Sequence, residues 1–338
     1  PALVAEVLTL RQQFGKSSVA KVETMLNAQV KGRVHGCTKH YGANTGRFAG
    51  ALVQFQNLPR SEYNQEENET FIDAVLQGCG GTSFDNIPRR VSSATRALIE
   101  AAHGKEFVCA DWSNIEGRVL AWLANEDWKL RAFREFDAGR GVDLYVKAYA
   151  EAFGVDEKTA LENRQIGKTL ELACGYQGSV GAWRRFDTSD RFTDGEVSEF
   201  IKAWRLSNPQ IVQLWSAYQR AAVKAVQNPG QIFECGLFGQ GFICKNNTLF
   251  NVLPSGRSIA YYKPRLVQGK FGDEIEYLGR NPMTKRLQYT KTYGGSLVQG
   301  AVQATARDIL VNSLLVLGDR VVFHVHDECV LEVEEDSF

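Results

Sequence analysis

The sequence predicts an α+β fold, with short antiparallel strands on either side of a long, mostly helical middle. Three observations carry this reading. Phe107 to Ala110 form an apolar run of strand character that ends at the carboxylate Asp111, after which Ile115, Val119, Trp122 and Leu123 recur at helical spacing. Helix-like periodicity then dominates from Trp128 to Gln227. Two hairpin-rich stretches follow: residues 230–293, punctuated by Gly and Pro, and V-V-F-H-V-H-D-E-C-V-L-E-V from Val321 onward.

With 338 residues the chain is long enough for two or three subdomains, and its 44% hydrophobic and 11% aromatic content is ordinary for a globular protein. Lys+Arg 39 against Asp+Glu 39 gives a net charge of +0, so global charge argues neither for nor against a nucleic-acid partner; any basic surface must be local. The seven cysteines have no C-x-x-C spacing and no nearby histidine pattern, which suits reduced thiols of an intracellular protein better than disulfides or zinc. No apolar run is long enough to span a membrane, and no signal peptide is visible. A start at Pro1 and a stop at Phe338, just past a hydrophobic hairpin, are expected of a fragment of a longer protein.

Residues 1–30 read as helical, with Leu8, Leu10, Val19, Val22 and Leu26 as buried candidates. From Lys31 to Pro59, glycines at 32, 36, 42, 46 and 50 permit tight turns, while Arg33, Lys39, His40, Arg47, Gln54, Gln56 and Asn57 offer donors. Donors on a glycine-rich frame suit a phosphate backbone and the minor-groove edge of a base pair; a polar surface loop is the alternative. Asn64 to Thr70 is acidic and is expected to be a solvated loop before a helix over Phe71 to Leu76. Residues 92–101 are expected to form another helix.

Asp111 stands at a strand end. Ser113 as N-cap with Glu116 three residues on predicts a capping box. A carboxylate delivered to the mouth of a helix suits metal or phosphate chemistry, and equally it only helps the helix begin. Helices are predicted over Trp128 to Phe136 and Asp143 to Phe153. In the segment that follows, Arg164, Lys168 and Leu172 fall at i, i+4 and i+8 on one face, which Tyr176 continues. Two cations at that spacing repel unless an anion lies between them. A triphosphate is such an anion; Glu171 or Glu162, in a solvated salt-bridged face, is the other candidate.

Residues 196–227 predict two helices broken near Asn208 and Pro209, with Phe200, Trp204, Ile211, Leu214, Trp215 and Tyr218 as core. The hairpins of 230–293 carry several basic residues. A helix over about Ser296 to Leu317 carries Gln303, Arg307 and Asp308. The final hairpin exposes His326, Asp327 and Glu328 at its turn. His324 and His326 at i, i+2 make zinc a rival there, but no third nitrogen or sulfur ligand stands nearby and Asp327 suits magnesium better.

Four stretches together resemble the family A DNA polymerases, of the bacterial DNA polymerase I and bacteriophage replicative kind. D-W-S-N-I-E-G-R-V-L-A is similar to that family's motif A, R-Q-I-G-K-T-L-E-L-A-C-G-Y-Q-G to motif B, V-H-D-E to motif C, and Y-G-A-N-T-G-R with Q-N-L-P to an upstream element. They occur in the family's order over about residues 31–335, which makes the match specific.

The resemblance implies a right-hand polymerase fold, with an antiparallel palm sheet carrying Asp111 and Asp327 and a mostly α-helical fingers subdomain between them. The expected division is a thumb-base remnant over 1–30, palm over 31–124, fingers over 125–295 and palm again over 296–338. The implied activity is template-directed addition of deoxynucleotides to a primer 3′-hydroxyl with pyrophosphate release. Asp111, Asp327 and the backbone carbonyl of Trp112 would hold two Mg2+ ions, with Glu328 supporting them. Arg164 and Lys168 would clasp the incoming triphosphate, and Lys168 could protonate the pyrophosphate. Glu116 would exclude a ribose 2′-hydroxyl, and Leu172, Tyr176 and Tyr145 would lie near the nucleotide. Arg47, Gln56, Asn57, Gln303 and His326 would contact primer-template DNA. A cytoplasmic setting, in a bacterial or phage-infected cell, is expected; a processivity factor is not identified.

The chain departs from the family pattern at Leu172, where Phe or Tyr is usual, at Gln177 in place of glycine, at Tyr145 in place of histidine, and at His324 in place of glutamine. Three rivals accompany the reading. A single-subunit RNA polymerase is opposed by Glu116, a two-metal nuclease has no need of the Arg164 and Lys168 face, and a non-catalytic primer-template binding fragment keeps the site without turnover.

Overall fold

The computed structural model of the chain describes residues 4, 17–80, 84–269, 272–281 and 284–335. Helix α1 (Ser17–Ala28) leads into two small ladders, β1 (Gln29–Val30) with β2 (Arg33–Val34) and β3 (Thr38–Lys39) with β4 (Ala49–Gly50). Then come α2 (Gln65–Leu76), α3 (Ile87–Ala94) and β5 (Lys105–Asp111). A helical series follows: α4 (Ile115–Ala124), α5 (Asp127–Asp137), α6 (Leu144–Phe153), α7 (Glu157–Glu162), α8 (Arg164–Cys174), α9 (Val180–Phe186), α10 (Asp194–Ser207) and α11 (Pro209–Gln227). Six strands come next: β6 (Ile232–Glu234), β7 (Gly241–Lys245), β8 (Thr248–Val252), β9 (Ser258–Gly269), β10 (Gly272–Arg280) and β11 (Leu287–Thr292). The long helix α12 (Gly294–Leu317) and the hairpin β12 (Val321–Val325) and β13 (Glu328–Glu334) complete the order.

Several local expectations are corrected. Leu8 and Leu10 lie outside the described residues, as does the side chain of Val19, and Leu26 is 68% exposed instead of buried. The acidic stretch from Asn64 is not a loop but the first turns of α2. The Asn64 side chain accepts the Glu67 N–H at 2.9 Å while Glu67 Oε2 accepts the Asn64 N–H at 2.9 Å, a capping box whose acids also suit the helix N-terminus. The next helix lies at 87–94, not 92–101, because Pro88 favours a helix start and residues 95–98 turn away.

The capping box expected at Ser113 does not form. Asn114 takes a left-handed conformation (φ 52°), α4 starts at Ile115, and the Glu116 carboxylate is engaged elsewhere.

The Cα framework divides into two compact units: residues 1–43, 47–111 and 313–338, and residues 44–46 and 112–312. In the first, β13 is the centre of a three-stranded antiparallel sheet ordered β12-β13-β5. Its register is fixed at the far end by Glu332, which takes the Arg33 guanidinium at 2.7 Å and the Ala102 N–H at 3.0 Å. Edge-on aromatic contacts, Phe55 on Phe323 at 5.1 Å and Phe48 on His324 at 4.3 Å, seat β12 against the glycine-rich segment.

In the second unit the helices pack around Trp183, Trp204, Trp215 and Tyr218; the last three, with Ile211 and Leu214, are buried as the spacing predicts, and Phe200 is half-buried against them. The break between α10 and α11 is built by Asn208, whose side chain donates to the Trp204 carbonyl at 2.7 Å, and by Pro209 opening α11. Glu126 caps α11 from a distance: its Oε2 accepts the N–H groups of Gln210 and Ile211 at 2.9 and 3.2 Å. The six-stranded sheet is an antiparallel meander ordered β11-β10-β9-β8-β7-β6. One face buries Phe242, Leu249, Ile259, Tyr261 and Ile275 in the unit's core.

Candidate active site

The first cluster lies at the open end of the three-stranded sheet. Register pairs Glu328, the first residue of β13, with Asp111, the last residue of β5. The two-residue turn His326–Asp327 therefore stands beside Asp111. His326 adopts a left-handed conformation (φ 44°), which a two-residue hairpin turn demands and which histidine tolerates better than a branched residue. Because β13 is paired on both sides, backbone hydrogen bonds hold this turn in place.

Asp111 is exposed and Asp327 is half-buried. Burial and then the charge of Asp111 push the Asp327 carboxyl above the usual carboxylate range, against the pull of His326 and Arg47. Neither aspartate forms an ion pair among the described residues. Two hard oxygen donors repelling each other at a rigid turn fit a magnesium ion, which takes one or two carboxylates and fills its remaining positions with water or phosphate oxygens. No group of three or more His, Cys, Asp or Glu side chains among the described residues could hold a metal by itself. His324 gives zinc no support. Its ring packs on Phe48, its Nδ1 is buried without a hydrogen-bond partner among the described residues, and burial lowers its pKa.

Of the other residues expected here, Arg47 is half-buried and its charge reaches Asp327. Gln56 sits in the short turn Phe55–Asn57 with its Oε1 buried against Gly50 and without a hydrogen-bond partner among the described residues; a Cβ added at Gly50 would meet that oxygen at 2.6 Å. Asn57 is exposed; its side chain donates to Gln54 Oε1 at 3.1 Å and its carbonyl accepts Lys21 Nζ at 2.8 Å.

The second cluster lies on α8. Arg164 Nε donates to Asp143 Oδ2 at 2.6 Å, and the guanidinium lies 5.2 Å from the Tyr145 ring centroid. Asp143 also caps α6, its Oδ1 accepting the N–H groups of Tyr145 and Val146 at 2.8 and 3.2 Å. Lys168, one turn on, makes no hydrogen bond or ion pair among the described residues. Leu172 continues the same face at 43% exposure. Glu171 does not neutralise these cations. It points into the core, where Lys129 Nζ lies 2.8 and 2.6 Å from its two oxygens and Trp204 Nε1 donates to it at 2.6 Å. Glu162 is exposed.

Tyr176 falls in the turn just after α8, not on the helix. Its hydroxyl donates to Glu116 Oε2 at 3.0 Å, which ties the start of α4 to the end of α8. Gln177 keeps a glycine-like φ of 65°, and its side chain accepts the Gly295 N–H at 3.0 Å. The substitution therefore preserves the turn and adds a tie to α12. Gln303 is half-buried on α12 with no hydrogen bond among the described residues, and Trp112 is 43% exposed.

Sequence reasoning missed three contributors. Asp143 was signalled by its place before an apolar helical run, as an N-cap. Gly167 was signalled as an isolated glycine inside a helical pattern. A Cβ there would meet the Tyr145 carbonyl oxygen at 2.0 Å, so α8 packs close on α6 only with glycine at 167. Lys129 carried no signal, since a lysine in an amphipathic helix reads as exposed.

Residues 2–229 match the family described as DNA polymerase family A. The DNA polymerase of Bacillus phage SP02 is 39% identical over 98% of this chain and 52% of its own length. DNA polymerase I of Pseudomonas aeruginosa is 26% identical over 90% of this chain and 26% of its own. The chain thus spans about a half and about a quarter of the length of these two relatives. Among solved structures, the POL domain of Pol1 from M. smegmatis, in complex with DNA primer-template and dNTP, superposes with a TM-score of 0.56 at 17% identity, over 94% of this chain and 45% of that one. That likeness shows the fold to be that of a polymerase domain.

Proposed function

The chain belongs to DNA polymerase family A, and from that membership we propose that it carries the catalytic part of a template-directed DNA polymerase, with deoxynucleoside triphosphates and primer-template DNA as substrates. The observation that carries the proposal is the pair of Asp111 at the end of β5 and Asp327 in the adjoining hairpin turn, whose mutual repulsion is unrelieved by any ion pair among the described residues. Such a pair is a liability to folding, and it acquires a purpose where cations are gathered around phosphate.

In this reading Asp111, Asp327 and the Trp112 carbonyl hold two Mg2+ ions, with Glu328 beside them. When bound, the ions supply activation of the primer 3′-hydroxyl and charge neutralisation on the leaving pyrophosphate. The chain's own residues do the rest. Arg164, held by Asp143 and Tyr145, offers its remaining guanidinium donors to the triphosphate, and a fork fixed in advance loses little entropy on binding. Lys168, without a partner among the described residues, adds a charge and a proton for the pyrophosphate oxygen. Glu116, fixed by the Tyr176 hydroxyl, stands as a rigid obstacle to a ribose 2′-hydroxyl, which supports DNA over RNA synthesis. Leu172 offers an aliphatic contact where an aromatic ring is usual in the family. Tyr145 acts through Arg164. Arg47, Gln56, Asn57, His326 and Gln303 are assigned to primer-template contacts, and residues 31–124 and 296–338 to the palm, 125–295 to the fingers and 1–30 to the base of the thumb.

Primer extension on a labelled primer-template with Mg2+ tests the proposal. Wild-type protein is expected to extend with deoxynucleotides, and Asp327→Ala to lose at least about a thousandfold in rate, as loss of transition-state charge stabilisation implies. Equal extension by Asp327→Ala, or preference for ribonucleotides, would overturn it.

A further inference from the structure

We propose that the outer face of the six-stranded sheet is a platform for unpaired DNA, the template strand in the reaction proposed above. The strand period and the register define that face. Phe242, Cys244, Leu249, Ile259, Tyr261 and Ile275 point into the core, so the alternate residues point away from it. Register then lines up one row across five strands, Lys245, Thr248, Tyr262, Leu278 and Tyr289. Tyr262 is 61% and Tyr289 39% exposed. Beside this row runs a second one, Arg265, Glu276 and Lys291.

The Arg265 guanidinium lies 3.7 Å from the Tyr289 ring centroid, so the outermost stackable surface there is a cation backed by an aromatic ring. Lys263 sits at the bulge between the two rows with φ 48°, next to Tyr262 and exposed.

Charge decides the occupant. Glu276 takes Arg265 at 2.7 Å and Glu274 takes Lys291 at 2.9 Å. Lys245, Lys263, Lys285 and Arg286 are exposed and have no carboxylate partner among the described residues. On this face the exposed cations Lys245 and Lys263, without a carboxylate partner among the described residues, outnumber the one exposed carboxylate in the same position, Glu234, although the net charge of the chain is +0. Cations fit a phosphate backbone, and free ring faces fit bases, but a duplex hides its base faces in its own stack. Tyr262 and Tyr289 stand two strands apart, roughly 10 Å, which suits bases that are not adjacent along the strand.

The test is fluorescence anisotropy of end-labelled (dT)20 and of a blunt duplex of equal length, in EDTA without nucleotides, so that it runs independently of catalysis. Tyr262→Ala is expected to weaken (dT)20 binding about tenfold, Tyr262→Phe to bind within about twofold of wild type, and neither to change duplex affinity. Lys263→Glu is expected to weaken binding and to reduce the slope of log Kd against log salt by about one. Photo-crosslinking of an oligonucleotide substituted with 5-iodouracil is expected to label the peptides holding Tyr262 or Tyr289. Unchanged (dT)20 affinity in both Tyr262→Ala and Lys263→Glu overturns the platform, as do equal losses for duplex or crosslinks confined to other peptides. Failure of the polymerase reading would appear separately, as absent primer extension by a wild-type protein that still binds (dT)20 through Tyr262.

Discussion

Glu171 and Asp327 are carboxylates of neighbouring exposure to solvent in sequence-based expectation, yet the protein settles their charges in opposite ways. Glu171 is withdrawn into the core and receives two contacts from Lys129 and one from the Trp204 indole. Asp327 is half-buried beside another carboxylate and receives no such partner among the described residues. A buried charge that is fully answered stabilises one packing arrangement; one left facing its like costs stability where it stands. The two lie in different compact units, so each can be perturbed while the other reports.

The largest effect is expected on the answered charge. Lys129→Met leaves Glu171 buried without its cation and should cost about 3–5 kcal/mol in urea unfolding. A cost under about 1 kcal/mol would mean that water reaches Glu171 and the pair is not structural. Next comes Trp204→Phe, which removes the indole donor and part of a fully buried ring, the ring loss adding its own cavity cost. A lost hydrogen bond to a charged group should cost about 1.5–3 kcal/mol, less than the lysine and with the ion pair intact.

The smallest effect has the opposite sign. The Asp327 carboxyl is raised above its ordinary range by burial and by Asp111, so the folded state holds its proton more tightly than the unfolded chain does. Its stabilising contribution is complete below the unfolded value and is lost as pH rises through the folded one. Asp327→Asn in EDTA should therefore raise the unfolding free energy at neutral pH, by under about 1 kcal/mol given solvent screening, and the advantage should fade at acid pH. A variant less stable than wild type at neutral pH would show that Asp327 is answered by a partner after all.

How much of this was legible depends on the range of the interaction involved. The strand ending at Asp111, the hairpin turn at Asp327, the cationic spacing on α8 and the break at Pro209 all rest on patterns within a few residues, and the sequence carries them directly. The acidic start of α2 was misread because the same residues describe a solvated loop and a capping box, and only the Asn64 and Glu67 bonds separate the two. Glu116 was misread for the converse reason: its spacing from Ser113 fits a capping box, but the Tyr176 hydroxyl, 60 residues away, takes the carboxylate.

By itself the sequence determined the order of the elements, the four motifs with their chemistry-bearing residues, and through them the family. Those are properties of local spacing and residue type. Tertiary structure alone decided which charges are answered: Lys129 for Glu171, Asp143 for Arg164, and none for Lys168 or the Asp111 and Asp327 pair among the described residues. It also decided the rows of Tyr262 and Tyr289, because register between strands depends on pairing that no single strand encodes. Charge compensation and register are relations between segments distant in the chain, and they exist only once the chain has closed on itself.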